Sequence, residues 1–364
     1  MKEEASIMLY LTVDEATVLC RDALLDAGVP ADQTDTITDC ILYASRRGID
    51  THGIVSILPA TLAGLRAGRI RPQAAVEVVQ EGPAVARIDA HQAPGPVAGA
   101  AGMDIAIERA RRYGIGAAVV FNGNHFGAAS YYTERARRAG MIGLAMCNAA
   151  PRVAPHQGRQ PFLGTNPIAY AAPGGAWPEI TFDAATSAAA AGKVGKALRR
   201  GEPIPAGWVI DADGQPITDA ARAAGSTFLH FGEHKGYGIA MLVELLTGAL
   251  AGARCGLAMP RGGDEAAPQH RAYFFLALNI AQVVPPAVFA ERVDQLARDA
   301  HSIAPAPGAT EVLVPGEPEL RAAEERQARG IPFHDGDWRA LLRGLAAHGY
   351  DADWIAARAR PRPT

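Results

Sequence analysis

No run of apolar residues in this 364-residue chain approaches the roughly 20 that a membrane-spanning helix needs. The opening Met-Lys-Glu-Glu-Ala is not a cationic start ahead of an apolar core. Both absences predict a cytoplasmic protein. Cysteine is scarce: Cys20, Cys40, Cys147 and Cys255 lie far apart without a Cys-x-x-Cys, so neither a disulfide framework nor a zinc knuckle is implied. Lysine is scarce too, with only Lys2, Lys193, Lys196 and Lys235. Lys193 and Lys235, each beside a glycine, therefore stand out. A net charge of −3, a pI near 6.4 and no segment interleaving aromatics with Lys/Arg argue against a nucleic-acid partner. No G-x-G-x-x-G follows a strand into a helix, and no Gly-Lys-Ser/Thr P-loop exists. A dinucleotide bound here would not occupy a Rossmann domain.

What is present is a 49% hydrophobic chain, long enough for two cores. Between apolar runs that read as strands lie four polar clusters. They are Asn-Gly-Asn-His-Phe-Gly (122–127), Met-Cys-Asn (146–148), Leu-Gly-Thr-Asn-Pro (163–167) and Phe-Asp-Ala-Ala-Thr-Ser (182–187), followed by Ala-Gly-Lys (191–193). Such residues turn the chain and present hydrogen-bonding groups to a ligand. Their recurrence predicts a site.

Periodicity places amphipathic helices over 12–30, with Thr12 or Asp14 as cap, and over 31–47 and 54–65. Residues 74–90 alternate as strands around Glu81-Gly82-Pro83. A long helix over 97–113 then leads to a buried strand, 114–121, which runs into the 122–127 loop. Further helices are predicted over 128–139, 188–200, 239–251, 285–300, 319–330 and 337–358, and core strands over 142–147 and 272–284. Asp211-Ala212-Asp213-Gly214 reads as a surface turn, since the later ligands of a calcium loop are missing.

Two histidine motifs carry chemistry. In Arg47-Gly48-Ile49-Asp50-Thr51-His52-Gly53, His52 precedes a helix start, where backbone N–H groups and the dipole tune an imidazole. The spacing His230-Phe231-Gly232-Glu233-His234 mimics a zinc helix, but Gly232 and the following Lys235-Gly236-Tyr237-Gly238 predict a loop, and no metal is expected. His234-Lys235-Gly236 instead suits a helix N-terminus that faces a phosphate. Glu244, alone among apolar neighbours, should be paired with an arginine or a backbone donor.

The ordered set of motifs, from 47–53 through Asn-His-Phe-Gly (124–127), 163–167, 182–187, Gly-Lys (192–193) and Lys-Gly-Tyr-Gly (235–238) to Val-Pro-Gly-Glu (314–317), resembles the malate/L-lactate dehydrogenase family of the non-Rossmann kind. That family takes in ureidoglycolate, sulfolactate and diketogulonate oxidoreductases and cyclic imino-acid reductases. The resemblance implies an α+β fold: a cofactor domain (76–287) on a large, mostly antiparallel sheet, with a helical domain built from both chain ends (1–75 and 288–364). It implies a homodimer that binds NAD or NADP between its two domains and exchanges a hydride with the C2 carbon of a small 2-oxo or 2-hydroxy acid or a cyclic imine. It further implies His52, with Thr51, and His125 as catalytic candidates, His52 leading as proton donor. The implied cofactor contacts are His125, Phe126, Gly127, Asn148, Asp183, Ala184, Ala185, His234 and Lys235. Ser56, Thr165, Thr186 and Ser187 fall on the substrate side.

The chain departs from the family pattern at position 56, where Ser56 replaces the arginine that grips a substrate carboxylate. Arg47, Arg152 and Arg159 are the candidate substitutes. Lys193, where imino-acid reductases tend to carry an acid, favours carbonyl chemistry. The alternatives are an imine reductase on the same scaffold and a catalytically silent cofactor-binding subunit.

Overall fold

A computed structural model of the chain describes residues 8–177, 179–261, 266–350 and 360–361. Two compact units emerge, Met1–Gln73 with Pro318–Thr364, and Ala74–Glu317.

The first unit opens with β1 (Leu9–Leu11), α1 (Val13–Asp26), α2 (Ala31–Arg46) and α3 (Ile54–Arg66). Thr12 caps α1 through a reciprocal capping box with Glu15, satisfying two orphan donors of the first turn. Ala16, Leu19, Cys20, Ala23 and Leu24 form its buried stripe, and Ile37, Cys40, Ile41 and Ala44 lie within that of α2, the spacing expected of helices packed on one face.

The second unit contains β2 (Glu77–Glu81), β3 (Val85–Asp89), α4 (Gly95–Tyr113), β4 (Ile115–Gly123), α5 (Ser130–Arg138), β5 (Met141–Cys147), β6 (Ile168–Pro173), β7 (Glu179–Ala184), α6 (Ala191–Arg200), β8 (Val209–Ile210), β9 (Thr227–Phe228), α7 (His234–Glu244), β10 (Arg271–Asn279) and α8 (Pro286–Ser302). Its main sheet has seven strands in the order β2-β3-β4-β10-β5-β6-β7. Only β3 and β4, joined through α4, run parallel; the other pairs are antiparallel. This is the mostly antiparallel sheet expected of a non-Rossmann domain. Tyr273 and Phe275 of β10 are fully buried, and Gly102 of α4 admits the Phe275 ring where a Cβ would come within 2.7 Å of it. A satellite core of Val153, Val194, Val209, Ile217 and Phe228 sits under α6, β8 and β9. At Asp211 the predicted turn is present, its carboxylate accepting from the amides of Asp213 and Gln215 at 3.0 and 2.9 Å.

The chain then returns to the first unit through α9 (Glu317–Arg329), β11 (Ile331–Phe333), α10 (Asp335–Ala346) and β12 (Arg360–Pro361). β1 lies between β11 and β12, antiparallel to both. The domain expectation has the return at 288, whereas the units divide at Pro318. One physical reason is Asp294 of α8, which accepts hydrogen bonds from the amides of Gly175, Ala176 and Trp177 and so ties α8 to the sheet unit. Of the helix predicted over 337–358, residues 351–358 lie outside the described residues. Among the described residues, no helix is long and apolar enough to cross a membrane.

Candidate functional site

In the first unit, Asp50–His52 forms a single 3-10 turn and Gly53 is the N-cap of α3. The turn is held from two sides. Ser45 Oγ, itself donating to Ile41 O, accepts from the Ile54 amide at 2.9 Å. Arg326 of α9 bonds Ser45 O at 2.6 Å and the Asp50 carboxylate at 2.5 and 3.2 Å. Half-buried His52 has its Nδ1 3.0 Å from the Thr51 hydroxyl. Ser56 lies exposed in the first turn of α3. Arg47 stacks on the Tyr43 ring at 4.8 Å.

In the second unit, β4 delivers the 122–127 loop. Its anchors are buried: Asn124 donates to the carbonyls of Gln92 and Ala93 at 2.9 and 3.1 Å. The hydroxyls of Tyr273 and Tyr132 donate to the carbonyls of Asn124 and Phe126. Burial drives the Tyr273 hydroxyl well above the usual phenol range, so it stays a donor. Phe126 stacks between Tyr132 and Tyr273 at 4.9 and 4.8 Å, so its side chain is core and supports the loop. His125, half-buried, accepts a hydrogen bond at Nδ1 from the Gly127 amide at 3.1 Å. A backbone N–H only donates, so the ring proton resides on Nε2.

The strip after β7 is also bound inward. Asp183 Oδ2 accepts from both the amide and hydroxyl of Ser130 at 2.8 Å, at the N-terminus of α5, where a carboxylate is favoured by the helix dipole. Ala184 and Ala185 follow, half-buried. Thr186 gives its amide and hydroxyl to Thr165 O at 2.8 and 3.0 Å, and Ser187 donates to Ala189 O at 2.8 Å. Asn148 is fully buried. Its oxygen accepts from the Ala272 amide at 2.8 Å and its nitrogen donates to Arg254 O at 3.2 Å. Beside it, Glu244 accepts from the Gly256 amide at 2.9 Å and Asn166 at 2.8 Å. The acid is thus met by a backbone donor and an amide, and Asn148 belongs to the same buried knot.

The zinc-like spacing falls across a loop and a helix start. α7 begins at His234, with Glu233 at φ 56° before it. The amides of Lys235 and Gly236 return to the carbonyls of Gly232 and Phe231 at 3.1 Å, which leaves the exposed Lys235 ammonium as the outward-facing charge. His230 is bound back to the strip: its Nδ1 lies 3.2 Å from Thr186 O, and Phe231 donates to the same carbonyl at 3.1 Å.

The structure therefore makes two groupings. Thr51 and His52 in the 3-10 turn and Ser56 in the first turn of α3 follow one another in the first unit. In the second, Thr165, Thr186 and Ser187 lie with His230 and Phe231, while Asp183 reaches α5. Lys193, on α6, and Arg152 are exposed, and Arg159 pairs loosely with Asp213 at 3.9 Å. The supports Ser45, Arg326, Tyr132 and Tyr273 escape sequence reasoning because nothing in a tyrosine or arginine shows which distant carbonyl it will meet.

A mostly antiparallel sheet carries one set of these loops and a helical unit carries the histidine turn, and known proteins supply both the family and its class. The family model described as malate/L-lactate dehydrogenase matches residues 11–342; the chain belongs to this family and is an oxidoreductase. It is 35% identical over 327 residues to an L-sulfolactate dehydrogenase of Methanothermobacter thermautotrophicus, covering 90% of this chain and 94% of that one. It is 32% identical over 326 residues to a ureidoglycolate dehydrogenase (NAD(+)) of Escherichia coli, covering 89% and 92%. Among solved structures, the delta1-piperideine-2-carboxylate reductase of Pseudomonas syringae superposes with a TM-score of 0.82 at 30% identity, covering 92% of this chain and 99% of that one.

Proposed function

We propose that this oxidoreductase moves a hydride between a nicotinamide dinucleotide, NAD or NADP, and the C2 carbon of a small 2-oxo or 2-hydroxy-acid-like substrate, as a homodimer. The observation that carries the reading is the contrast between the two imidazoles. A general acid must hold a proton, release it and take it back. The Nδ1 partner of His52 is a hydroxyl, which donates to a neutral ring and accepts from a charged one. That of His125 is a backbone N–H, which a charged ring would oppose with a second N–H. His52 is therefore the proton donor to the substrate oxygen, and Thr51 follows its charge. His125 serves as a fixed Nε2–H donor on the cofactor side.

The nicotinamide supplies or receives the hydride when bound. The residues present suit such a group: the Lys235 ammonium stands exposed at a helix start, where the helix dipole favours an anionic phosphate, with His125 and Asp183–Ala185 on loops and a strand end of the same unit. Thr165, Thr186 and Ser187 form the substrate side. Exposed Leu242, Leu245 and Leu250, 46–54% accessible, support a self-association surface on α7 and the turn after it.

A second reading, reduction of a cyclic imine, is favoured by Ser56 in place of a carboxylate-gripping arginine and by the likeness to the piperideine-carboxylate reductase. The test is binding of NADH and NADPH, followed by nicotinamide fluorescence in the wild type and in Lys235→Ala. The expected result is binding of at least one form, weakened roughly tenfold or more in the variant, the worth of a charge-assisted hydrogen bond. Absence of binding would leave a silent subunit. Turnover with 2-oxo acids against cyclic imines then separates the two reactions.

A further inference from the structure

Between residues 154–157 and 229–233 lies a cleft of about 470 Å³, lined among others by His156, Gln157, Ala188, Leu229, His230 and Glu233. We propose that this cleft binds a hydroxyl-bearing group, with His230 Nε2 as the hydrogen-bond acceptor that recognises it. The proposal deepens the function proposed for this oxidoreductase and rests on it only for whose hydroxyl enters, the substrate's or a cofactor ribose's.

His230 is 7% exposed. Its Nδ1 faces the Thr186 carbonyl at 3.2 Å; a carbonyl only accepts, so Nδ1 holds the proton and Nε2 carries a lone pair. Nε2 is shielded from water, and no group among the described residues lies within hydrogen-bond reach of it. A buried polar atom left bare calls for an explanation, and the ring cannot turn to find a partner without giving up Thr186. Burial also lowers the His230 pKa, against the opposing effect of the Thr186 carbonyl, so the ring remains a neutral acceptor.

The lining selects among ligands. It contains no lysine or arginine, while Glu233 adds a carboxylate. A carboxylate, sulfonate or phosphate would meet no lysine or arginine of the lining, whereas a hydroxyl satisfies an acceptor directly. The position ties the cleft to the site: Ser187 and His230 are bridged as β partners, so the strip that carries Thr186 and Ser187 also carries the acceptor. The Tyr237 ring lies 5.5 Å from the imidazole, tilted by 45°.

The experiment uses full-length protein labelled with ¹⁵N at histidine. The unprotonated Nε2 resonance of His230 is assigned by its disappearance in His230→Asn and His230→Phe. Asparagine retains a donor for Thr186 O if phenylalanine fails to fold. The probes are NADH, NADPH, 2-oxo-4-hydroxybutanoate, its deoxy analogue 2-oxobutanoate, and erythritol. The Nε2 signal should move upfield with a hydroxylated probe and stay put with 2-oxobutanoate. Movement with the hydroxy acid or erythritol assigns the cleft to the substrate's tail; movement with the dinucleotides alone assigns it to a ribose. In the first case, His230→Asn lowers the kcat/KM preference for the hydroxy acid over its deoxy analogue roughly fivefold, the worth of one neutral hydrogen bond. A signal that stays still with every probe overturns the proposal. Because erythritol carries no nicotinamide, its effect on the signal is independent of whether a dinucleotide binds at all.

Discussion

At the 50–53 turn, His52 Nδ1 meets a side-chain hydroxyl, and the turn is fastened by an arginine whose acidic partner, Asp50, is 63% exposed. At the 122–127 loop, His125 Nδ1 meets a backbone amide, and the fastenings are two buried tyrosines and a buried asparagine. The Nδ1 partner of one histidine can both donate and accept, and that of the other can only donate. The difference teaches that similar-looking polar loops in one chain can be built from different partners, and on the function proposed above the first would move a proton and the second would hold a group still.

The comparison breaks most easily at the proton. His52→Gln should lower kcat by about 10²–10⁴, the usual worth of general acid–base catalysis, with circular dichroism unchanged and nicotinamide binding retained. His125→Gln should weaken nicotinamide binding in the fluorescence titration and preserve the wild-type pH profile of kcat/KM. If instead His125→Gln abolished the titrating limb and His52→Gln left it intact, the two roles would have to be exchanged.

The next effect is steric. A methyl on Gly95, at the start of α4, would overlap the carbonyl oxygen of His125. The obstacle is backbone rather than a flexible side chain, so Gly95→Ala should cost about 1–3 kcal/mol or more of stability, read by urea unfolding, and should raise the nicotinamide Kd. No glycine of the His52 turn meets the backbone so closely, since the nearest obstacle to a Cβ at Gly53 is Ser45 Oγ at 2.7 Å. Gly53→Ala should accordingly be the milder variant, and equal losses from both would erase the contrast.

Tyr273→Phe sharpens the comparison further. It removes the donor to Asn124 O and leaves that buried carbonyl without it, a loss of about 1–3 kcal/mol. The effect should appear as lowered thermal stability together with weaker nicotinamide binding. An unchanged binding constant would mean that the loop holds His125 without its tyrosines.

Helices and strands that bury one regular face are legible in the sequence. The stripe of α1 and its Thr12–Glu15 capping box are local facts, and so is the apolar run that becomes β4. What escapes is non-local. β1 and β11 are three residues each, too short for a pattern, and exist because they pair across more than 300 positions of chain. The expected boundary at 288 would part α8 from the sheet unit, but Asp294 meets three amides near 175, which no spacing reveals. The motif histidines are visible as residues and their roles are not, because a role depends on which atom faces Nδ1. His230 reads in the sequence only as half of a zinc-like spacing, and its contact with Thr186 O is not legible there.

The last effect concerns Arg326, a fastening of the His52 turn that comes from the far end of the chain. Its guanidinium is 14% exposed, against 63% for the Asp50 carboxylate, so the ion pair itself is screened and worth about 0–1 kcal/mol. The bond to Ser45 O at 2.6 Å is a charged donor on a backbone carbonyl, with a larger share expected, about 1–2 kcal/mol. Arg326→Ala should therefore cost about 1–3 kcal/mol, and Arg326→Lys should recover only part of it, because one ammonium does not span the carbonyl and both carboxylate oxygens as the planar fork does. Salt separates the contributions. Thermal melts in 1 M salt, roughly a 3 Å Debye length, should remove the Asp50 share and leave the Ser45 share in place. A deficit that vanished entirely in salt would make the turn's anchorage purely ionic, and the His52 turn would then be held far more loosely than the loop around His125.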